Sequence, residues 1–241
     1  MDVSSSVRSN VFAQSVVVTR TMDFWGRTAG VSAILPYVNL DSSSDAFSAS
    51  NQGVSDVGFL LQTNIFGGPA LTRDQFRSFV PKTFSSFHLL VTTHDPTNPL
   101  NPSANRWMFN PTINYSYTPD QGWTWLEVYL STRVFTTNTD YRVGGASSLG
   151  QNPLFIVEGH ASRNLTAALW VSADAYYNVG GETSIDGVSQ HNAADTLRLG
   201  LGMGLTVWAG GDVTLNYERV VAKPASQPDA EATLMTVRQV W

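Results

Sequence analysis

Residues 195–211 read DTLRLGLGMGLTVWAGG. From Leu197 onward every second residue is apolar: Leu197, Leu199, Leu201, Met203, Leu205 and Val207. Arg198, Gly200, Gly202, Gly204 and Thr206 fill the alternate positions, and Trp208 closes the run. Successive side chains of a strand point to opposite faces, so a period of 2 is a strand signal. One face of this strand is apolar and the other is polar or bare. The apolar face belongs either to the core of a soluble β-sandwich or to the outside of a barrel in lipid.

Composition narrows the choice. The chain has 241 residues, enough for one large β domain. Apolar residues make up 42% and charged residues only 14%, against roughly 25% charged in soluble domains. Mean hydropathy is −0.09, so Ser, Thr, Asn and Gly replace the missing charge. A net charge of −5 offers no basic footprint for nucleic acid. Without cysteine there are no disulfides or thiolate metal sites. No apolar run approaches the roughly 18 residues of a transmembrane helix. The start, MDVSSSVRSN, lacks the basic and apolar regions of a signal peptide.

About eleven segments alternate like strands: 4–22, 28–39, 54–65, 82–94, 105–118, 122–136, 152–163, 166–178, 193–208, 211–222 and 230–241. Soluble strands usually run about 5–6 residues, whereas a tilted transmembrane strand needs about 9–11. Many of these segments reach the second length. Their connections alternate as well. DFWGR (23–27), PDQG (119–122), RNLT (163–166) and WAGG (208–211) are short. The polar stretches 41–53, 94–105, 136–151, 178–192 and 222–231 are long. Short turns at one end and long loops at the other mark bacterial outer-membrane barrels. GGPALTRDQFRSFVPK (67–82) departs from this, being long at the short-turn end, and is expected to hold a short helix near 71–79. The expected fold is all-β: a single-domain transmembrane antiparallel up-and-down β-barrel over residues 1–241. Such barrels have even strand numbers. The first and last segments here both run toward the short-turn rim, an odd count. The expectation is that an upward first strand and a signal peptide are absent from this chain.

Several motifs resemble the outer-membrane family labelled "putative MetA-pathway of phenol degradation". They are MDFWGRTAGVSAILPY, SDVGFLLQTNIFGGPALTRDQF, NRW with Pro111 following, FTTNTDY, QNPLF with His160 following, LWVSADAYYNVGGETSIDGV and the terminal Trp. They occur in family order over about residues 17–241. The resemblance implies a twelve-stranded outer-membrane barrel for uptake of hydrophobic or aromatic compounds. It also implies an N-terminal plug segment, which is expected to be absent from this chain. Thr112 stands where the family tends to carry an acid, and HDP (94–96) replaces a Pro-Thr-Gly-like turn. Trp241, ending the alternating LMTVRQVW, resembles the terminal signal by which barrel-assembly machinery recognises its clients.

A barrel assigns faces without a structure, because the apolar face meets lipid and the other lines the lumen. Glu127, Arg133, Glu158, His160, Asp174, Arg198, Glu218 and Arg238 are then expected in the lumen, with Tyr129, Trp170, Tyr176 and Asp212. These charges either pair across a narrow barrel or form a constriction that selects permeants. Gly200, Gly202 and Gly204 share the inner face. They either make room for bulky neighbours or clear a patch for a flat ligand or plug. Pro36 and Pro111 lie inside strand segments, toward the long-loop end. A proline cannot donate to a ladder. Each marks either an ordinary strand end or a break through which an apolar solute leaves sideways into the membrane. Phe24, Trp25, Trp123, Trp125, Trp208 and Trp241, with Tyr117, Tyr176 and Tyr177, are expected to form interfacial girdles.

Catalysis, cofactors and metals find no motif: there is no HExxH, GxSxG or P-loop. His88 and His94 are too far apart for a local pair. Glu158, His160 and Ser162 sit side by side on one face, which is not a triad. The function read from the sequence is passive uptake of small hydrophobic or aromatic molecules across the bacterial outer membrane, with lipid and those solutes as partners. Alternatives are a structural or adhesion barrel binding a partner through its long loops, or a soluble binding barrel.

Overall fold

A computed structural model of the chain describes residues 8–43, 48–93, 105–141, 145–225, 227 and 229–239. Residues 1–7, the HDP stretch with His94, and Trp241 lie outside the described residues. The elements are β1 (Arg8–Phe24), β2 (Arg27–Ser43), β3 (Ser48–Val54), β4 (Gly58–Phe66), α1 (Arg73–Ser78), β5 (Thr83–Thr92), β6 (Met108–Tyr117) and β7 (Thr124–Phe135). They continue with β8 (Leu149–Gln151), β9 (Leu154–Asn164), β10 (Leu169–Gly180), β11 (Thr183–Ile185), β12 (Val188–Ser189), β13 (Ala194–Trp208), β14 (Gly211–Ala222) and β15 (Glu231–Gln239).

One antiparallel sheet runs β1-β2-β4-β5-β6-β7-β9-β10-β13-β14-β15, with β3 added to β2. Each long strand pairs with the next long strand in sequence, the up-and-down order expected from hairpins. The sheet of eleven strands curls into a half-barrel. Among the described residues no ladder joins β1 to β15. The eleven alternating segments are the eleven strands of this path, their ends shifted by a few residues. The long loops are more ordered than the sequence suggested. SASNQGV forms β3 and extends the β2 hairpin from Tyr37↔Val54 to Ser43↔Ser48. Strands β8, β11 and β12 form a second small sheet of three strands.

The molecule is polar inside and apolar outside. Among the described residues only Ala29 and Ile156 are buried hydrophobics, while Ser32, Ser85, Ser86, Asn114, Ser116, Thr118 and Asn138 are buried polar residues. On β13 the outer residue Leu201 is 67% exposed, and on β7 Leu130 is 55% exposed. Burial of apolar area drives folding in water, so this inversion fits a solvent of lipid.

Register explains the glycines of β13. Trp170 pairs with Gly204, Ser172 with Gly202 and Asp174 with Gly200. A Cβ on Gly204 would stand 2.6 Å from Trp170 Cζ2 and nearer still to its Cε2 and Nε1. One on Gly202 would collide with Ser172 Oγ and Asn216 Oδ1, and one on Gly200 would lie 2.9 Å from the Tyr217 carbonyl. Gly204 leaves room for the Trp170 indole, Gly202 for Ser172 and Asn216, and Gly200 for the β14 backbone.

The short-turn end is fixed by local chemistry. Trp25 (φ 53) and Gly26 (φ 77) make a two-residue turn between β1 and β2, the left-handed pair that suits strand twist. Helix α1 starts with a capping box: Gln75 N donates to Thr72 Oγ1 (3.4 Å) and Thr72 N to Gln75 Oε1 (2.9 Å). Its leading segment is tied to the β1–β2 turn by Ala70 N→Gly26 O (2.9 Å) and Thr28 Oγ1→Pro69 O (2.7 Å). This is the physical content of GGPALTRDQ.

At the other end Asp186 (φ 48) and Gly187 (φ 81) turn β11 into β12. Asp186 Oδ1 accepts from Ser147 N (3.0 Å), Ser147 Oγ (2.9 Å) and Ser148 N (2.8 Å), stapling two loops together. The Ser147 hydroxyl and the Ser147 and Ser148 amides hold the Asp186 carboxyl below its ordinary value of 3.8.

Two outcomes follow from this geometry. Gly204→Val is expected to cost about 1–3 kcal/mol by overpacking, read as a lower thermal midpoint in heat-modifiable gel migration. Adding Trp170→Ala should recover most of that loss. The Asp186 staple contributes stability above the ordinary aspartate range and loses it as pH falls through the lowered value. A carbon-13 NMR titration of Asp186 should find its midpoint below 3.8, with amide-exchange protection at Ser147 and Ser148 falling alongside.

Candidate functional site

Strand register sorts the concave wall into rows. Ser116, Glu127, His160, Asp174, Gly200 and Glu218 occupy one row across six strands. The next row toward the long loops holds Asn114, Tyr129, Glu158, Tyr176 and Arg198. The next row toward the short turns holds Trp125, Ser162, Ser172, Gly202 and Asn216. All eight charged residues singled out in the sequence stand on this concave face. Glu127, Glu158, His160, Asp174, Arg198 and Glu218 come together at mid-wall. Arg133 lies toward the long loops, within electrostatic reach of Glu158 and Arg198, and Arg238 pairs with Asp212 (2.6 Å) near the short turns.

Neutral groups span β5 to β7. His88 Nε2 lies 2.7 Å from Ser86 Oγ, which donates to Asn114 Oδ1. Asn114 Nδ2 donates to Ser116 Oγ (2.9 Å), and Ser116 Oγ to Glu127 Oε1 (2.7 Å). Tyr129 OH reaches the same Glu127 oxygen at 3.4 Å. Every buried group in this relay has a partner, as buried polar groups require. Ion pairs take over from β9 to β14. His160 Nδ1 meets Asp174 Oδ1 at 2.7 Å and Nε2 meets Glu158 Oε2 at 3.4 Å. Both nitrogens face carboxylates, an arrangement completed when each carries a proton. Ser172 Oγ donates to Asp174 Oδ2 (2.9 Å). Arg198 Nη1 meets Glu218 Oε1 at 2.7 Å, with its guanidinium 5.2 Å from the Tyr176 ring centroid.

Aromatic rings tie the two halves together. Tyr129 and Tyr176 each meet His160 edge-on at 5.4 Å. A cavity of about 680 Å³ lies against this wall, lined by Trp125, Tyr129, Trp170 and Tyr176 with the carboxylates of Glu127, Asp174 and Glu218. Among the described residues no cluster of His, Asp and Glu is arranged to hold a metal ion. Ser162 makes no bond to His160, whose partners are both acids.

Some expectations need correction. Trp125 and Tyr176 do not join an outer girdle, because both side chains line the concave cavity. Trp25, in the β1–β2 turn, is 89% exposed. Pro36 interrupts nothing on its β1 side, where Ser15↔Pro36 is in register. On its other side the ladder passes from β4, ending at Ile34↔Gly58, to β3, resuming at Tyr37↔Val54. At Pro111 the β5 pairing is kept (Leu89↔Pro111), but the β6–β7 ladder skips Asn110 and Pro111. Asn110 Oδ1 and Thr132 Oγ1 are buried there without a hydrogen-bond partner. The sequence reading missed Ser86, His88, Asn114 and Ser116. MFNPTINYSY did carry the signal, since Asn110, Thr112, Asn114 and Ser116 alternate with Phe109, Pro111, Ile113 and Tyr115.

An apolar outside, a polar wall and strands of membrane-spanning length now stand together. The family model described as "Putative MetA-pathway of phenol degradation" matches residues 2–227. The chain belongs to that family. No curated protein matches its sequence. Its fold is that of an outer-membrane channel from Pseudomonas putida F1, known from a crystal structure. The two share 16% identity at a TM-score of 0.75, with 96% of this chain and 83% of the channel covered.

The wall yields one direct expectation. His160→Ala leaves Glu158 and Asp174 without their shared donor and should cost about 1.5–3 kcal/mol, as charge-assisted hydrogen bonds do. Thermal unfolding in detergent measures it. Glu158→Gln placed in the same chain should restore part of the loss, because it removes one unpaired charge.

Proposed function

We propose that this chain is a bacterial outer-membrane channel that passes small hydrophobic or aromatic molecules passively. The observation that carries the reading is the inverted molecule: an exposed apolar outside and an inner wall that mixes aromatic rings with satisfied polar groups. Family membership and the fold shared with an outer-membrane channel support it. Solutes are captured among the long loops and move along the aromatic-lined wall. They leave sideways between β6 and β7, where the ladder skips Asn110 and Pro111. An apolar solute gains free energy by that exit, because its surface leaves water. Strands β1 and β15 run in the same direction, so one further antiparallel strand between them closes the wall. We propose that such a strand completes the barrel.

Vesicles with a lipopolysaccharide outer leaflet test this reading. The probe is 1-N-phenylnaphthylamine, which fluoresces on entering the membrane interior, with arabinose as the polar comparison. The protein should speed the aromatic probe several-fold and arabinose little. Pro111→Val supplies the missing N–H and a strand-forming side chain. It should slow the probe while leaving arabinose unchanged. Equal acceleration of both solutes overturns the hydrophobic-uptake reading, and an unchanged rate in Pro111→Val overturns the sideways exit.

A further inference from the structure

Among the described residues of the concave wall, Glu127 is a carboxylate with no cation among its bonded partners. In its row Asp174 is met by His160 at 2.7 Å and, one row up, Arg198 reaches down to Glu218 at 2.7 Å. Glu127 is held only by neutral hydroxyls, from Ser116 at 2.7 Å and Tyr129 at 3.4 Å. His160 stands directly opposite Glu127 in register but turns both nitrogens to Glu158 and Asp174. Arg133 is six residues further along β7, and its guanidinium acts on Glu158 and Arg198 rather than on Glu127. The mid-wall therefore sets Glu127, Glu158, Asp174 and Glu218 against Arg198, His160 and the nearby Arg133, with Glu127 the carboxylate left to neutral partners.

The surroundings favour one kind of visitor. Trp125 and Trp170 flank the carboxylate row on the short-turn side, and Tyr129 and Tyr176 on the long-loop side, within the same cavity of about 680 Å³. Aromatic faces attract cations through their quadrupole. Arg198 already lies 5.2 Å over Tyr176, so the wall itself uses that contact. Pockets of this size place a few convergent polar groups among apolar walls to choose their ligand.

We propose that the mid-wall is a charge filter for aromatic solutes, with Glu127 as its specificity residue. An aromatic cation packs its ring among Trp125, Trp170, Tyr129 and Tyr176 and sets its charge beside Glu127. An aromatic anion of the same size meets an excess of carboxylates and is turned away. The inference rests on the channel reading above and narrows it to a class of permeant.

Two ions of fixed charge test it on the full chain in detergent: benzyltrimethylammonium and benzenesulfonate. Quenching of tryptophan fluorescence reports binding, since Trp125 and Trp170 line the cavity. The unsubstituted protein should bind the cation about tenfold more tightly than the anion, the scale of one charged contact. Glu127→Gln should erase most of that preference. Glu182→Gln makes the same charge change in the long loop after β10 and should leave the preference intact. Raising salt should shrink the preference in the unsubstituted protein, a measurement that needs no variant. Equal affinity for the two ions overturns the filter, as does an equal loss in Glu127→Gln and Glu182→Gln. Should the channel speed phenylnaphthylamine yet bind both ions alike, the filter falls and the channel reading stands. Should it speed no aromatic probe, the channel reading fails by itself.

Discussion

A backbone in lipid has no water to bond with, so every N–H and C=O must find a partner within the protein. That constraint organises this molecule. It makes the strands long, keeps neighbours in sequence as neighbours in the sheet, and sends most aliphatic side chains outward. Residue alternation then does the rest, since a strand that offers lipid one face has the other left for polar groups. The constraint is visibly strained at two places. One is the pair of edges at β1 and β15; the other is the skipped rungs at Asn110 and Pro111. Both bear on how a solute would use the wall.

The wall divides by chemistry. From β5 to β7 it is a relay of amides and hydroxyls in which each donor has an acceptor. From β9 to β14 it is a set of ion pairs arranged around His160 and Arg198. Glu127 stands at the seam, a charge served by the neutral half and facing the charged half. Removing one member of either half leaves a polar group without its partner in a low dielectric, where that loss is large.

Much of this was legible in the sequence because alternation is a rule about faces. Leu197 to Val207 fixed the outer side of β13, and the same rule placed Glu127, His160, Asp174 and Glu218 on one wall. It could not say which of these lie level with one another, because level depends on register between strands. Adjacent Ser85 and Ser86 blur the period of β5, and a register shift between Asn64 and Phe66 hides the match to its neighbour. Trp125 was misjudged because an aromatic near a strand end suits a membrane interface as well as a lumen. The loop strands β8, β11 and β12 are joined by the Asp186 staple to Ser147 and Ser148, which carries no periodic signal.

The row structure has a consequence for how such a wall can change over generations. Each row draws one residue from each strand, so its chemistry is spelled by letters scattered across the whole chain. An insertion in a long loop moves none of them. A one-residue insertion inside β7 would act like a frameshift, turning Leu126, Val128 and Leu130 into the lumen and Glu127 into lipid. Divergence is therefore channelled into single-letter changes within strands and free growth of the loops between them, which keeps the pattern readable long after identity has faded.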